Sequence, residues 1–384
     1  MARRPHVLLD ALLVGPQPTG VGRSILELTA ALAASDRGCD FTVLATEAGP
    51  FAEVSGADGW RVRLCPGAAG GTLRKAMFTQ IQVPRLVTEL GATILHSLQF
   101  IAPLRPRRPS IVTVHDLAWQ DYPGLLETTR EWYYRVMVGP SLGRAARILT
   151  NSTSTAGDVM RLHPGTRGKV VVTPFGTPSW VWKQDRDLPG RPADDEGYFL
   201  FVGTLEPRKN LDNLLAAYAD FLAASAVRSG GGPAPDLLLV GARGWRDGEL
   251  RTRIRDLQAT GKLKVRDYCG PEALWGLYRG ARALLFPSLH EGFGFPILEA
   301  MAAGCPVLTS ARGAMLEVGG DAVLAVDPDS RADLTAAILL LATDSGLCRR
   351  LSERGLARAP RWTWAETAAR TAETYLQVAG ETGP

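Results

Sequence analysis

What most constrains this chain is an alternation repeated along it. Short apolar runs rich in β-branched residues are each followed by a polar or glycine-bearing turn and then by a longer segment with helical spacing. In the first half the runs are Val7 to Leu13, Phe41 to Ala45, Thr93 to His96, Ser110 to Val114, Arg147 to Thr150 and Lys169 to Val172. Between them, Ile25, Leu28, Thr29 and Leu32 keep the i, i+3, i+4, i+7 spacing of one buried helical face. This is the grammar of a parallel sheet, whose neighbouring strands need a crossover long enough to hold a helix. The pattern stalls between Pro174 and Gly197, where prolines mix with Lys183, Asp185, Arg186, Asp187, Asp194, Asp195 and Glu196. So polar a segment cannot join a core and reads as a linker. The alternation restarts at Tyr198 to Val202, Asp236 to Val240, Leu263 to Arg266 and Ala283 to Phe286, with further runs at Val307 to Thr309 and Val323 to Val326. The expected fold class is α/β, two doubly wound Rossmann-like domains in series. Open parallel sheets take ligands outside the carboxyl ends of their strands, so two such domains face to face define a central cleft.

Other classes are excluded by composition. Of 384 residues, 46% are hydrophobic, enough for large cores and too many for a disordered chain. A net charge of +4 over the whole chain is too dilute for a nucleic-acid surface, so no nucleic-acid partner is expected. The five cysteines stand singly, with no C-x-x-C pair, which fits neither a zinc knuckle nor a disulfide framework and points to a reducing compartment. The amino terminus, with Arg3 and Arg4 before Val7 to Val14, mimics a signal peptide, but Asp10 interrupts the apolar run, which reads as a first buried strand. No run approaches the ~18 apolar residues of a membrane span. A soluble, cytoplasmic protein is expected.

The strand ends supply the candidate site residues. After the first comes Thr19-Gly20-Val21-Gly22-Arg23, opening a helix; glycines here admit a close approach to the backbone, or simply a turn with positive φ. After Ser110 to Val114 comes His115-Asp116-Leu117, where His115 either orients a substrate or is satisfied locally, and Asp116 is placed to fix its tautomer. The first strand of the second half ends in Gly203-Thr204-Leu205-Glu206-Pro207-Arg208-Lys209-Asn210, with Asn210 placed to cap the next helix. The planar fork of Arg208 and the point charge of Lys209 suit a diphosphate, though the pair reads equally as a solvated basic turn.

The densest segment runs from Phe286 to Gly304. A strand ends, the loop Ser288-Leu289-His290-Glu291-Gly292-Phe293-Gly294 follows, and Pro296 fits the first turn of a helix through Ile297, Leu298, Glu299, Ala300 and Met301. Glu291 lies in the loop and Glu299 is expected on the first helical turn. Carboxylates beside a phosphate loop make sense as acceptors from neutral hydroxyls, as in a sugar. The competing reading has one glutamate neutralising Arg208 or Lys209 and the other capping a turn.

These blocks, with Asn151-Ser152-Thr153-Ser154 and Val240-Gly241-Ala242-Arg243-Gly244-Trp245, resemble the family-4 retaining glycosyltransferases of GT-B architecture, and the resemblance covers nearly the whole chain. It implies an amino-terminal acceptor-binding domain at 1–178, a linker at 179–197 and a nucleotide-sugar-binding domain at 198–358. A carboxy-terminal helix at 359–384, carrying Trp362, Trp364, Ala368, Thr371 and Tyr375, would cross back to the first domain. By the same resemblance Arg208 and Lys209 bind the diphosphate, with Gly203 in the same loop. Glu291 takes the donor-sugar hydroxyls, the amides around Gly292, Phe293 and Gly294 contact phosphate and sugar, and Glu299 takes the ribose. His115 resembles the active-site histidine, and Gly20 to Gly22 the loop over the phosphates. Arg208, Lys209, His115 and Glu291 are thus the expected catalytic group.

The leaving diphosphate gains charge, so stabilisation belongs there, and protein cations would supply it. No D-x-D motif is read at a strand end, so neither metal nor cofactor is expected. The function implied is transfer of a hexose or deoxyhexose from a nucleoside diphosphate sugar to a hydroxyl acceptor such as a glycan, lipid-linked sugar or natural product. The His115-Asp116-Leu117 block resembles that of members transferring mannose or deoxyhexoses, which implies GDP-mannose or a dTDP-deoxysugar over a UDP-sugar. A nucleotide-sugar 2-epimerase and a non-catalytic nucleotide-sugar binder are the alternatives. Arg74, Lys75, Arg105, Arg107 and Arg108 are candidates for anionic headgroups, but without a clear basic amphipathic helix peripheral membrane contact is the less favoured reading. Oligomeric state is left open.

Overall fold

The computed structural model describes residues 4–16, 18, 20–122, 128–184, 197–227, 234–241 and 248–381. Their contacts divide into two units, Met1–Gly176 with Thr363–Pro384, and Thr177–Trp362. The first holds a seven-stranded parallel sheet of β1 (His6–Asp10), β2 (Asp40–Ala45), β3 (Trp60–Leu64), β4 (Ile94–Ser97), β5 (Ser110–Val114), β6 (Arg147–Thr150) and β7 (Val170–Val172). Their spatial order is β3-β2-β1-β4-β5-β6-β7. The second holds β8 (Tyr198–Val202), β9 (Asp236–Val240), β10 (Leu263–Arg266), β11 (Ala281–Phe286), β12 (Val307–Ser310) and β13 (Leu324–Val326) in the order β10-β9-β8-β11-β12-β13.

Each order reverses once, between β1 and β4 in the first sheet and between β8 and β11 in the second. At such a switch point the helices leave on opposite faces and a crevice opens beyond the strand ends. The central strands are apolar because both of their faces are covered: Val7, Leu8 and Leu9, like Phe199, Leu200 and Phe201, are fully buried. The two doubly wound sheets bear out the expected fold class.

β3 is the one strand the apolar pattern missed. It is an edge strand in which Arg61, Arg63 and Leu64 are exposed, so it carries little hydrophobic signal. Ser179–Trp182, inside the segment read as linker, forms a helix of the second unit, while 185–196 lie outside the described residues. The chain returns to the first unit at Thr363, so residues 359–362 stay with the second.

The carboxy-terminal helix Trp364–Glu381 packs in the first unit against the helix Gly20–Ala33 and the sheet. The contact is more than apolar. Tyr375 and His96 are fully buried, with the Tyr375 hydroxyl 2.6 Å from His96 Nδ1 and Thr113 Oγ1 2.8 Å from His96 Nε2. Burial pushes the His96 imidazole down to about 3, so it is neutral and its ring nitrogens are satisfied by these two hydroxyls. Tyr375→Phe leaves one of them unpaired and is expected to cost ~1 to 3 kcal/mol in urea unfolding. A midpoint equal to that of the parent would contradict the role given to this bond.

Candidate functional site

In the second unit the candidate residues sit on the two strands flanking the switch point. Beyond β8 a single 3₁₀ turn, Pro207–Lys209, carries Arg208 and Lys209; beyond β11 the loop carries Glu291. The two loops are joined through the backbone, with Leu289 N–H donating to the Arg208 carbonyl at 2.8 Å. Glu291 Oε2 then accepts from Arg208 Nη1 at 2.8 Å, and Glu291 Oε1 accepts from Lys209 Nζ at 2.5 Å. Arg208 also donates to the His290 carbonyl at 3.2 Å and to Glu206 at 2.9 Å.

Lys209 is 6% exposed and Glu291 9%, so this is a desolvated cluster. Burial by itself would raise the Glu291 carboxyl, but the adjacent Arg208 and Lys209 outweigh it and bring it down to about 2. Burial lowers Lys209, and Glu291 counters that by favouring its charged form. Lys209 Nζ also lies 4.8 Å from the centre of the Phe286 ring. Formally Glu206, Arg208, Lys209 and Glu291 sum to zero. The reading in which a glutamate neutralises these cations therefore describes Glu291, and a simple positive pocket does not.

Glycine is required here by geometry. Gly203 and Gly241 both have φ near +155°, and a Cβ on Gly241 would fall 1.9 Å from the Gly203 carbonyl oxygen. Only bare backbone lets these two strand ends approach. Residues 242–245, in the second glycine block, lie outside the described residues. Gly294 has φ +111° and precedes the helix Phe295–Ala302, with Pro296 in its first turn. Phe293 is buried, packed on Phe295 and Trp362.

Glu299 is the fifth residue of that helix, on its second turn and not its first. It is 5% exposed and its Oε2 accepts from the Tyr278 hydroxyl at 2.8 Å. Asn210 also departs from expectation. Its backbone is left-handed at φ +61°, so its carbonyl accepts from Leu214 N–H, while its side chain donates to the Pro328 carbonyl at 2.7 Å and leaves the helix end uncapped by it. The reading that no D-x-D stands at a strand end is corrected as well. Asp327-Pro328-Asp329 follows β13 directly, and Arg312 bridges both carboxylates at 2.6 and 2.5 Å.

His115, Gly20 and Gly22 belong to the first unit. His115 is buried, its Nε2 donating to the Leu98 carbonyl at 2.9 Å, and burial lowers it below the ordinary histidine range. The imidazole is thus neutral, with Nδ1 as acceptor. The Leu98 carbonyl sets that tautomer. Asp116, expected to do so, instead accepts from Ala118 N–H at 3.2 Å. Gly20 and Gly22 are helical, without positive φ; a Cβ on Gly22 would lie 3.0 Å from Pro18 Cβ, so close packing explains the second glycine better than turn geometry.

One residue was missed. Asp10 ends β1 at the switch point of the first sheet, beside Ser97 at the end of β4. It is 1% exposed; Oδ1 accepts from Leu12 N–H at 3.2 Å, and Oδ2 has no partner among the described residues. Ser97 Oγ and Asn151 Oδ1 are likewise buried and unpartnered. A signal was present, an acid ending an otherwise apolar strand, but only the sheet order puts it at the switch point.

Two family models match nearly end to end: residues 18–178 match Glycosyltransferase Family 4 and residues 184–358 match Glycosyl transferases group 1. The chain belongs to the family-4 glycosyltransferases, and it is a glycosyltransferase. Among its relatives, the O-antigen chain mannosyltransferase B of Escherichia coli is 32% identical over 293 residues, 73% of this chain and 74% of that protein. Sucrose-phosphate synthase from Thermosynechococcus elongatus superposes with a TM-score of 0.71 at 20% identity, over 99% of this chain and 100% of that one. Anabaena Alr3699/HepE, solved in complex with UDP-glucose, gives 0.67 at 18%, over 97% and 99%. These likenesses bear out the GT-B architecture.

Burial raises the Asp10 carboxyl to about 6, with the Leu12 N–H and Gln99 opposing it. Its ordinary value is near 3.8, so between those values the folded chain binds more protons than the unfolded chain and stability falls as pH rises. Above pH ~6 the whole penalty applies, up to roughly 3 kcal/mol. Asp10→Asn is therefore expected to raise the thermal midpoint at pH 8 and to leave it nearly unchanged at pH 4. Equal shifts at both pH values would refute this.

Proposed function

We propose that this chain transfers a hexose or deoxyhexose, with retention of anomeric configuration, from a nucleoside diphosphate sugar to a hydroxyl acceptor. The observation that carries the reading is the buried Arg208–Lys209–Glu291 cluster at the switch point of the second sheet. A desolvated pair of cations held by one carboxylate is built to exchange partners. An arriving diphosphate offers oxygens to the Arg208 fork and to Lys209, and the freed Glu291 carboxylate then accepts from sugar hydroxyls. Through the exchange the cations keep an anionic partner, and Glu291 trades its ion pairs for hydrogen bonds from hydroxyls, so no buried charge is left without a partner.

Chemistry follows from where charge develops. As the anomeric bond breaks, the diphosphate gains negative charge, and Arg208 and Lys209 stabilise it in a site that excludes water. The acceptor hydroxyl attacks from the face the leaving group vacates, and a departing phosphate oxygen takes its proton. We assign neutral His115 to hydrogen bonding near the reacting sugar, since an imidazolium would oppose an oxocarbenium-like centre. Gly20 and Gly22, at the start of the first unit's helix, are assigned to the donor phosphates, as are Gly203 and the backbone amides at Gly292, Phe293 and Gly294. Glu299 is assigned to the ribose hydroxyls and Asp10 to a hydroxyl of the acceptor. No metal is assigned, because Arg312 already holds the carboxylates of the one D-x-D that follows a described strand.

Similarity to a mannosyltransferase favours GDP-mannose, while the UDP-glucose complex of the HepE protein keeps UDP-sugars in the test. Titrating GDP, UDP and dTDP by calorimetry, then assaying the sugar nucleotides with and without acceptors, decides between them. Transfer only with acceptor is expected; a new sugar nucleotide formed without acceptor would select the epimerase reading. Lys209→Ala is expected to lower kcat/KM by ~2 to 4 kcal/mol in transition-state terms. Glu299→Ala is expected mainly to raise the donor KM, and an unchanged KM with collapsed turnover would reverse the roles of the two glutamates.

Partner exchange makes a sharper prediction. Glu291→Gln leaves Lys209 without its carboxylate partner and Arg208 with Glu206 alone, so the bare nucleoside diphosphate should bind at least as tightly as to the parent. Turnover of the sugar nucleotide should fall by about 10² or more. Loss of diphosphate binding alongside turnover would show that Glu291 only positions the cations.

A further inference from the structure

The first unit carries an exposed surface of apolar and basic side chains on residues 72–89. Residues 72–89 form one continuous helical stretch, α-helical at Thr72–Met77, a π-turn at Phe78–Gln82 and α-helical again at Val83–Glu89. Its inner face is conventional: Ala76, Thr79, Val83, Leu86 and Val87 are buried against the core under β2 and β4. Its outer face is not. Leu73, Met77 and Ile81, spaced by four, are 69%, 57% and 46% exposed. Scattered exposed apolar residues are ordinary, but three in register on one helix form a stripe.

Charge around the stripe is mostly basic. On the same stretch Arg74 and Arg85 are exposed and Lys75 is half-buried, and its one acidic residue, Glu89 at the last position, is paired with Arg63. Gln80 fastens a second basic segment alongside, its side chain accepting from Leu104 N–H at 3.0 Å and donating to the Ala102 carbonyl at 3.4 Å. That segment continues into Arg105, Arg107 and Arg108, all exposed. Gln80 also hydrogen-bonds Tyr133, on the helix Thr128–Arg144, which exposes Trp132 at 65% and Val136 at 47%. The amphipathic helix that the sequence reading found wanting is therefore present, and its signal was masked because core and surface apolar residues fall on both faces.

We propose that this face docks the enzyme on an anionic lipid bilayer. Leu73, Met77 and Ile81 enter the interfacial region, while the flanking arginines meet anionic headgroups with their stems along the acyl boundary. Charge complementarity selects this occupant. A second copy of the chain would set like-charged rims against each other, whereas an anionic membrane supplies the opposite sign across its whole plane. The proposal does not depend on which donor or acceptor the enzyme uses.

The test is flotation of the full-length protein with vesicles of equimolar phosphatidylglycerol and phosphatidylcholine, against vesicles of phosphatidylcholine alone. The parent should float with the anionic vesicles, lose most of that binding in high salt, and bind the neutral vesicles weakly. The double variant Met77→Glu/Ile81→Glu should lose about tenfold or more of the partitioning, with its melting temperature retained because both side chains are exposed. Arg105→Gln/Arg108→Gln should weaken it severalfold and flatten the salt dependence. Equal binding to both vesicle types, or partitioning indifferent to both variants, would overturn the proposal. So would a parent that ignores vesicles but self-associates through a contact abolished by Met77→Glu/Ile81→Glu, which would give the face to a second copy.

Discussion

The second unit is organised around a single carboxylate shared by two cations. Glu291 lies between Arg208 and Lys209, reached from opposite sides of the sheet's switch point, with the backbone bond from Leu289 to Arg208 holding the two loops in register. Removing Lys209 and Glu291 from water costs several kcal/mol per ion, and their mutual attraction, with that of the half-buried Arg208, is the main offset. The cluster therefore cannot be neutral ground. Whatever ligand enters must leave each buried charge with a partner, and a diphosphate flanked by hydroxylated rings satisfies that condition.

Both units use the same topological device with different chemistry. In each, the order of a parallel sheet reverses between the first and fourth strands in chain order, and polar side chains collect at the carboxyl ends that flank the reversal. The second sheet places an ion cluster there. The first places Asp10 beside Ser97, with Asp10 Oδ2 and Ser97 Oγ buried without partners among the described residues and held at a cost in stability. A protonatable carboxyl buried at a strand end with one oxygen unpartnered is the kind of group a fold retains for a ligand, since replacing it would stabilise the free chain. His115, kept neutral by burial and oriented by a backbone carbonyl, adds a polar group that brings no charge. The exposed stripe on residues 72–89 is tied by the Gln80 hydrogen bonds to Ala102 and Leu104, in the loop that begins beyond β4.

Most strands and the order of the motifs were legible along the chain because central strands of a parallel sheet are apolar throughout and their turns are not. Ser110–Val114, Arg147–Thr150 and Tyr198–Val202 are read with the bounds they have in the fold. β3 escaped because an edge strand needs no continuous apolar run, and Ser179–Trp182 because a single turn that buries only Val181 is too short to show a period. The helix opening before Glu299 was legible from Pro296, but its start was not, and Glu299 sits a turn deeper than its spacing suggested.

Residue types and spacing alone determined two parallel α/β units, the pairing of Arg208 with Lys209, and two glutamates eight positions apart. These follow from local periodicity and turn chemistry, which act over a few residues. Contacts between distant positions belonged to the tertiary structure: that Glu291 neutralises both cations, that Leu98 and not Asp116 orients His115, that Asp10 meets Ser97, and that Leu73, Met77 and Ile81 face water. Each depends on which strands become neighbours and which helical face a sheet covers, and those choices are made by the whole chain burying its apolar surface at once.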